Sequence, residues 1–499
     1  MLAPDYLDHA PDRLILLWRQ AEDDILRDVA RRIGKMDALT PTANWQLWRY
    51  QQTEALRKDV VKLLARYTGK SEAEIRRLMQ EAATAALEAE GEIYYHYGKE
   101  PTPFAENETL QALLNAGYRQ TAGSFSNLTA TTANTVSGAF EQALDRAWLQ
   151  VSSGAFDYKT AVKQAVDSLA DEMPKDSIEV ACRRAVLTGV NQTGAKLQEA
   201  RMDEMGASFV EVTAHGGARP SHAVWQGRRY HRGGALDYLG QHYEDFESAT
   251  GYGTGAGLCG WNCRHTFFVV FPELGSPPAW TQESLEALNA RDIEYDGGLY
   301  TRYEISQMQR ARERAVRKWK RRYLAEDAAG ADTTASAVKL RQARQSLADF
   351  TRATGGRVDS ARTSVHGFGR SEGSKASYAA RKQERFNAAN TELQQMREAG
   401  TIKAKGRLIE SPSAPNEINF ASDHVLQRWA ERGMGPMDAE RIIRSSKVAM
   451  SQRNGTQTCY YSELGFVAIG QDGNVSSIGP LDEGGKKLME VVKKHGIPH

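Results

Sequence analysis

The chain has 499 residues, of which 41% are hydrophobic and 25% charged, and its net charge is +1. Single cores stop growing at roughly 250 to 300 residues, so about two to four domains are expected. The near-neutral balance excludes a chain-wide attraction to nucleic acid or to a membrane surface, and any polyanion contact must be local.

The opening stretch "MLAPDYLDHAPDRLILLWRQAEDD" has no basic leader, and no apolar run approaches the ~20 residues of a bilayer span. A chain that is neither secreted by the usual route nor membrane-spanning is therefore expected. Its four cysteines, Cys182, Cys259, Cys263 and Cys459, are too few for a disulfide framework and suit a reducing compartment.

Residues 1–205 read as a helical body. Leu14, Trp18, Ala21, Ile25, Val29 and Ile33 keep a three-to-four spacing, and Gly34 supplies a stop. "Ser71-Glu-Ala-Glu74" has the form of a capping box and predicts a helix start. A long helix is expected from about Glu108 through "AGYRQTAGSFSNLTATTANTVSGAFEQALDRAWLQVSSG", whose small residues let neighbouring helices approach closely.

Residues 206–323 read as a small α+β module. "SFVEVTAHGG" and "HTFFVVFPELG" are its strand-like stretches, and "GYGTGAGLCGWNCRH" (251–265) lies between them. Its closing segment, 302–323, is a strongly basic helix. That helix is either a solvated face whose stems cover apolar neighbours or a contact for packaged DNA or an acidic partner. Residues 324–412 are polar and read as a helical, flexible linker. Residues 413–499 read β-α-α-β-β-β-β, with "NEINF" as the first strand. The fold class is thus α+β multidomain: a mainly α-helical N-terminal body, the small α+β module, the linker and a small C-terminal domain.

The glycine and cysteine stretch matches neither GxGxxG nor a Walker A loop, because no Lys-Ser or Lys-Thr follows and no helix begins there. Cys259, Cys263 and His265, with His215 or His222 upstream, have the residue types zinc requires. The competing reading is a tight crossing in which glycines permit close backbone approach and the cysteines pack as small apolar groups. That second reading, with no cofactor, is the expectation here.

"NLTATTAN", "VSSGAFDYKTAVKQAV", "RRAVLTGVNQTGAKL", "TAHGGARPSHAVWQGRRY" and "TGYGTGAGLCGWNCRH" follow one another in an order that resembles the phage minor capsid protein 2 family, related to the Mu gpF-like head morphogenesis proteins. The likeness covers roughly residues 12 to 320. It implies a virion component of the phage head, placed near the portal vertex, with portal protein and major capsid protein as partners. It also implies residence in the host cytoplasm during assembly or after ejection.

"DHVLQRWAERGMGPMDAERIIRSS" followed by four short strands resembles the small nuclease fold of barnase-like, EndoU-like, colicin-type and RelE-like toxins. His424, Arg428 and Glu431 share one helical face, with Arg432 a turn beyond Arg428. Metal-independent RNA cleavage needs a proton carrier near neutrality and a cation for the phosphorane, roles for His424 and for Arg428 and Arg432. Ser477, or its neighbour Ser476, would donate a further hydrogen bond. The alternative is an inactive RNA-binding tail, with Tyr460 and Tyr461 as base-stacking candidates.

Overall fold

The repeat of Leu14, Trp18, Ala21, Ile25, Val29 and Ile33 buries one whole stripe of a helix. In the computed structural model, which describes residues 2–35, 42–153, 155–172, 178–412, 418–420 and 423–498, that stripe faces a bundle. The helices are α1 (Pro4–His9), α2 (Asp12–Gly34), α3 (Thr42–His96), α4 (Glu108–Ser152), α5 (Tyr158–Glu172) and α6 (Ile178–Met205). Asn107 caps α4, its side chain accepting from the Leu110 amide.

The expected helix start at Ser71 is not there. α3 runs through it, and Ser71 Oγ donates to the Tyr67 carbonyl at 2.8 Å. A cap needs free amides, and here the preceding turn already pairs them. Burial of Leu56, Val60, Leu64 and Ile75 along one stripe offsets the cost of Gly69 within the helix.

α4 and α6 cross through small residues. A Cβ on Gly117 of α4 would overlap Thr193 of α6, and one on Gly189 of α6 would overlap Thr121 of α4. The small-residue surface expected from sequence is used here, as two reciprocal contacts.

The module follows as β1 (Phe209–Val212), α7 (Pro220–Ala223), β2 (Arg229–His231), β3 (Leu236–Tyr238), β4 (Gln241–Asp245), α8 (Phe246–Thr250) and β5 (Phe267–Val269). They make a five-stranded sheet in the order β3-β4-β2-β1-β5, antiparallel except for β2 and β4. Then come α9 (Gln282–Asn289), the hairpin β6 (Arg291–Tyr295) and β7 (Gly298–Thr301), α10 (Arg302–Ala328), α11 (Thr334–Ala353) and α12 (Ser360–Thr363).

The basic helix α10 turns its charge inward. Arg321 bonds Asp23 and Glu22 at 2.6 Å each, Arg322 bonds Asp167 at 2.9 Å, and Lys320 donates to the Thr363 carbonyl. Arg312 lies over the Phe350 ring, its guanidinium carbon 4.1 Å from the centroid, and Arg317 donates to the Arg362 carbonyl. Burial pushes the Lys320 ammonium down to about 8. These cations are engaged within the first unit, which is neither the solvated face nor the polyanion contact expected of 302–323.

Glu90 of α3 is fully buried, and neither of its carboxylate oxygens has a hydrogen-bond partner among the described residues. Burial pushes its pKa up to about 8, against a smaller downward pull from Arg201. The folded chain thus holds a proton that the unfolded chain has already released, and stability falls as pH rises through the folded value. Between about pH 7 and pH 9 this group should cost about 1 kcal/mol, an order-of-magnitude figure. Urea titrations of Glu90→Gln should show a correspondingly flatter pH profile. Parallel profiles for wild type and variant would contradict it.

By internal contacts the chain divides into two units, Met1–Glu372 and Gly373–His499, the division falling within α13 (Arg370–Glu398). The stretch read as a linker therefore carries core. Leu340, Leu347 and Phe350 of α11 are buried in the first unit, and Phe386, Ala389 and Leu393 of α13 in the second.

The second unit contains β8 (Arg407–Glu410), α14 (Asp423–Glu431), α15 (Pro436–Ser445), β9 (Val448–Gln452), β10 (Gln457–Ser462), β11 (Gly465–Gly470), β12 (Val475–Gly479) and α16 (Glu483–Lys494). Its sheet is an antiparallel meander, β12-β11-β10-β9-β8. The first strand is thus 407–410. Of "NEINF", residues 416 and 417 lie outside the described residues and Asn419 makes an isolated bridge to Asn474. Val448, Met450, Cys459 and Tyr461 pack with Phe386, Leu393, Leu488 and Val492 on one face, while Ala449, Tyr460, Val467 and Ile469 pack with Trp429, Ile442 and Ile478 on the other. Both Tyr460 and Tyr461 are buried, because helices cover both faces, and neither is offered to a base.

Candidate functional site

The glycine and cysteine stretch forms a knot of crossing backbone. A Cβ at Gly257 would overlap the Gly251 carbonyl, and Gly251 itself has φ +63°. From the bundle, the buried side-chain amide of Asn191 on α6 donates to the carbonyls of Cys263 and His265, each at 3.0 Å. The glycines therefore do what the crossing reading requires.

The knot also delivers three side chains to one point. His222, at the end of α7, meets Cys263 and His265 so that one ligating atom from each lies within 4.8 Å of the others. Cys263 Sγ is 3.6 Å from His222 Nδ1 and 3.6 Å from His265 Nδ1. The remaining nitrogens are anchored: His222 Nε2 to the Ala256 carbonyl at 3.0 Å, and His265 Nε2 to Gln226 Oε1 at 3.0 Å. Gln226 is itself oriented, accepting from the His215 amide and donating to Asn289 Oδ1.

His215 stacks on His265 with ring centroids 4.3 Å apart. Its Nδ1 bonds the Gly216 carbonyl, while its Nε2 is buried without a partner among the described residues. Cys259 stands behind the group; its Sγ donates to the His265 carbonyl at 3.6 Å rather than converging with the other ligating atoms. Burial raises the Cys263 thiol and lowers His265, and it brings His222 down to about 4. Burial, with Arg264 behind it, also lowers His215. The group is accordingly one neutral thiol among neutral imidazoles.

These residues line a cavity of about 200 Å³ whose wall includes Arg219, Arg264, Arg310 and Tyr303. Asp8 gathers four arginines beside it: Arg183 at 2.9 Å, Arg362 at 3.2 Å, Arg264 at 3.7 Å and Arg310 at 3.9 Å. Burial alone would raise Asp8, but the four guanidinium groups together hold it below the usual carboxylate range.

In the second unit, the side chains of His424 and Arg428 lie outside the described residues. Exposed Arg432, just past α14, donates from Nη1 to the Ile478 carbonyl on β12 at 2.9 Å, next to the half-buried Ser477. Ser476 Oγ donates to the Ala468 carbonyl at 3.2 Å and accepts from Gln457 Nε2 at 2.6 Å.

Of the two upstream histidines, sequence reasoning set His215 with Cys259, Cys263 and His265, whereas the converging group is His222, Cys263 and His265; it missed Gln226 and Asn191. Gln226 was legible only as four residues beyond His222, and Asn191 was one amide next to another, Gln192, in the helical stretch "TGVNQTG". A family model described as phage minor capsid protein 2 matches residues 2–352. No curated protein and no solved structure matches.

Proposed function

Since the chain belongs to the phage minor capsid protein 2 family, we propose that it takes its place in the head beside the portal vertex, contacting portal protein and major capsid protein during assembly. The observation that carries this reading is the extent of the match, which spans the bundle, the module and the basic helix together. Residues joined by buried charge and by reciprocal helix contacts suit a rigid assembly part. Contact with packaged DNA through 302–323 is not part of the proposal, since Arg321, Arg322, Arg317 and Lys320 are engaged within the body.

The test is copurification of the tagged full chain with portal protein or procapsids from cells assembling heads. A chain that stays in the free fraction while heads form would sink the proposal.

For the second unit a further reading has one observation in its favour. The end of α14 is tied to the last strand, where Arg432, one of the residues this reading assigns to the phosphate, donates to the Ile478 carbonyl; Ser477, paired with Ala468, faces the other side of the sheet. In this reading His424 moves the proton, Arg428 and Arg432 hold the phosphate, and RNA is cut without metal. The full chain should then leave 2′,3′-cyclic ends on RNA in EDTA, and His424→Ala should lose at least about 100-fold of that rate. Equal inertness of both folded proteins would leave an assembly protein with an RNA-binding or decorative tail.

A further inference from the structure

We propose that His222, Cys263 and His265 bind one zinc ion, with the fourth coordination position turned toward the cavity lined by His215 and Arg219.

The first argument is a count of protons. His222 Nε2 and His265 Nε2 both face carbonyl oxygens, so both must carry the ring proton, which leaves the two Nδ1 atoms as bare lone pairs. His215 repeats the pattern: Nδ1 faces the Gly216 carbonyl, and the buried Nε2 is left with a lone pair and no donor. Two lone pairs thus face a single thiol, which has one proton to give, while the His215 Nε2 in the adjoining wall is left without a donor. A cation satisfies what that proton cannot.

The second argument is distance. Zinc about 2.3 Å from sulfur and about 2.05 Å from nitrogen, with tetrahedral angles, sets sulfur and nitrogen about 3.6 Å apart. Cys263 Sγ stands 3.6 Å from each Nδ1. A mixed sulfur and nitrogen set favours zinc over magnesium or calcium, which take oxygen.

The third argument is the surrounding support. Metal-bound histidines characteristically donate their other ring N–H to a carbonyl or carboxylate, and here the Ala256 carbonyl and Gln226 Oε1 take those protons. Asn191 fixes the backbone on both sides of Arg264, between the two ligands of the loop. On binding, the thiol proton leaves to solvent and a zinc–thiolate bond forms, with no change of oxidation state. Arg219, Arg264 and Arg310 beside the open position favour water or a small anion as the fourth ligand.

The test uses the full chain purified without a histidine tag, dialysed against zinc and then against metal-free buffer. Elemental analysis should give one zinc per chain, lost in Cys263→Ala and in His222→Ala and kept in Cys259→Ala and His215→Ala. Cobalt is the second probe, independent of whether a ligand variant folds: the wild-type chain loaded with Co²⁺ should show thiolate-to-cobalt charge-transfer absorption with a tetrahedral d–d band. A folded wild type that retains no zinc, or a cobalt complex without the thiolate band, overturns the proposal. Zinc retained in full by a folded Cys263→Ala overturns the ligand set.

Discussion

Arg321→Ala is expected to destabilise the first unit by roughly 3–5 kcal/mol, the cost of leaving buried charge without its partner. Arg321, Glu22 and Asp23 are 7%, 4% and 2% exposed, and one guanidinium reaches both carboxylates at 2.6 Å. Asp23 also accepts from the His366 amide, so its loss of compensation is felt at α2, α10 and the segment after α12 together. Arg321→Lys should fall between wild type and alanine, because an ammonium keeps the charge but cannot fork to two oxygens. The stranded carboxylates will have raised folded pKa values, so the deficit is largest at neutral pH and shrinks as acid protonates them. Urea unfolding at two pH values measures both effects; an alanine variant with an unchanged midpoint would refute the ion pair's role.

Gly257→Ala is expected to cost more than about 4 kcal/mol, or to leave the loop misassembled. The new methyl would overlap the Gly251 carbonyl, and backbone on both sides leaves no flexible side chain to yield. Gly253→Ala is the control: its φ is +85° but nothing lies within 4 Å of the added carbon, so only strain of about 1 kcal/mol is expected. The readouts are thermal unfolding and limited proteolysis across 245–266. Equal behaviour of the two variants would mean that the crossing does not depend on close approach.

The long helices were legible because their apolar spacing is local. α2 stops at Gly34, and α4 runs from Glu108 as expected, with Asn107 as the cap that the structure adds. Ser71 misled because a capping box describes four residues, whereas whether their amides are free depends on the turn before. The second unit showed its β-α-α-β-β-β-β order, yet its first strand was placed at 416–420 and α16 was not foreseen. Asp482 caps that helix, but Gly484 and Gly485 read as a turn until Leu488, Met489 and Val492 are seen to be buried. The basic helix was ambiguous for a different reason. Its charge is answered by Glu22, Asp23 and Asp167, more than a hundred residues away, and no local window contains both partners. At the candidate site, the pairing of Cys263 with His265 was readable from spacing, whereas the choice of histidine from "TAHGGARPSH" depends on the α7 turn that brings His222 inward.

The crossing of α4 and α6 has a mechanical consequence. Gly117 and Thr121 stand one turn apart on one helix, Gly189 and Thr193 one turn apart on the other, and each threonine sits over the opposite glycine. A single such contact would be a pivot about which the rods could swing. Two of them, offset along both axes, remove that swing as a pair of dowels does in a joint. α6 also holds the loop of Cys263 and His265 through Asn191, so the locked crossing and the His222–Cys263–His265 cluster are tied to one and the same helix.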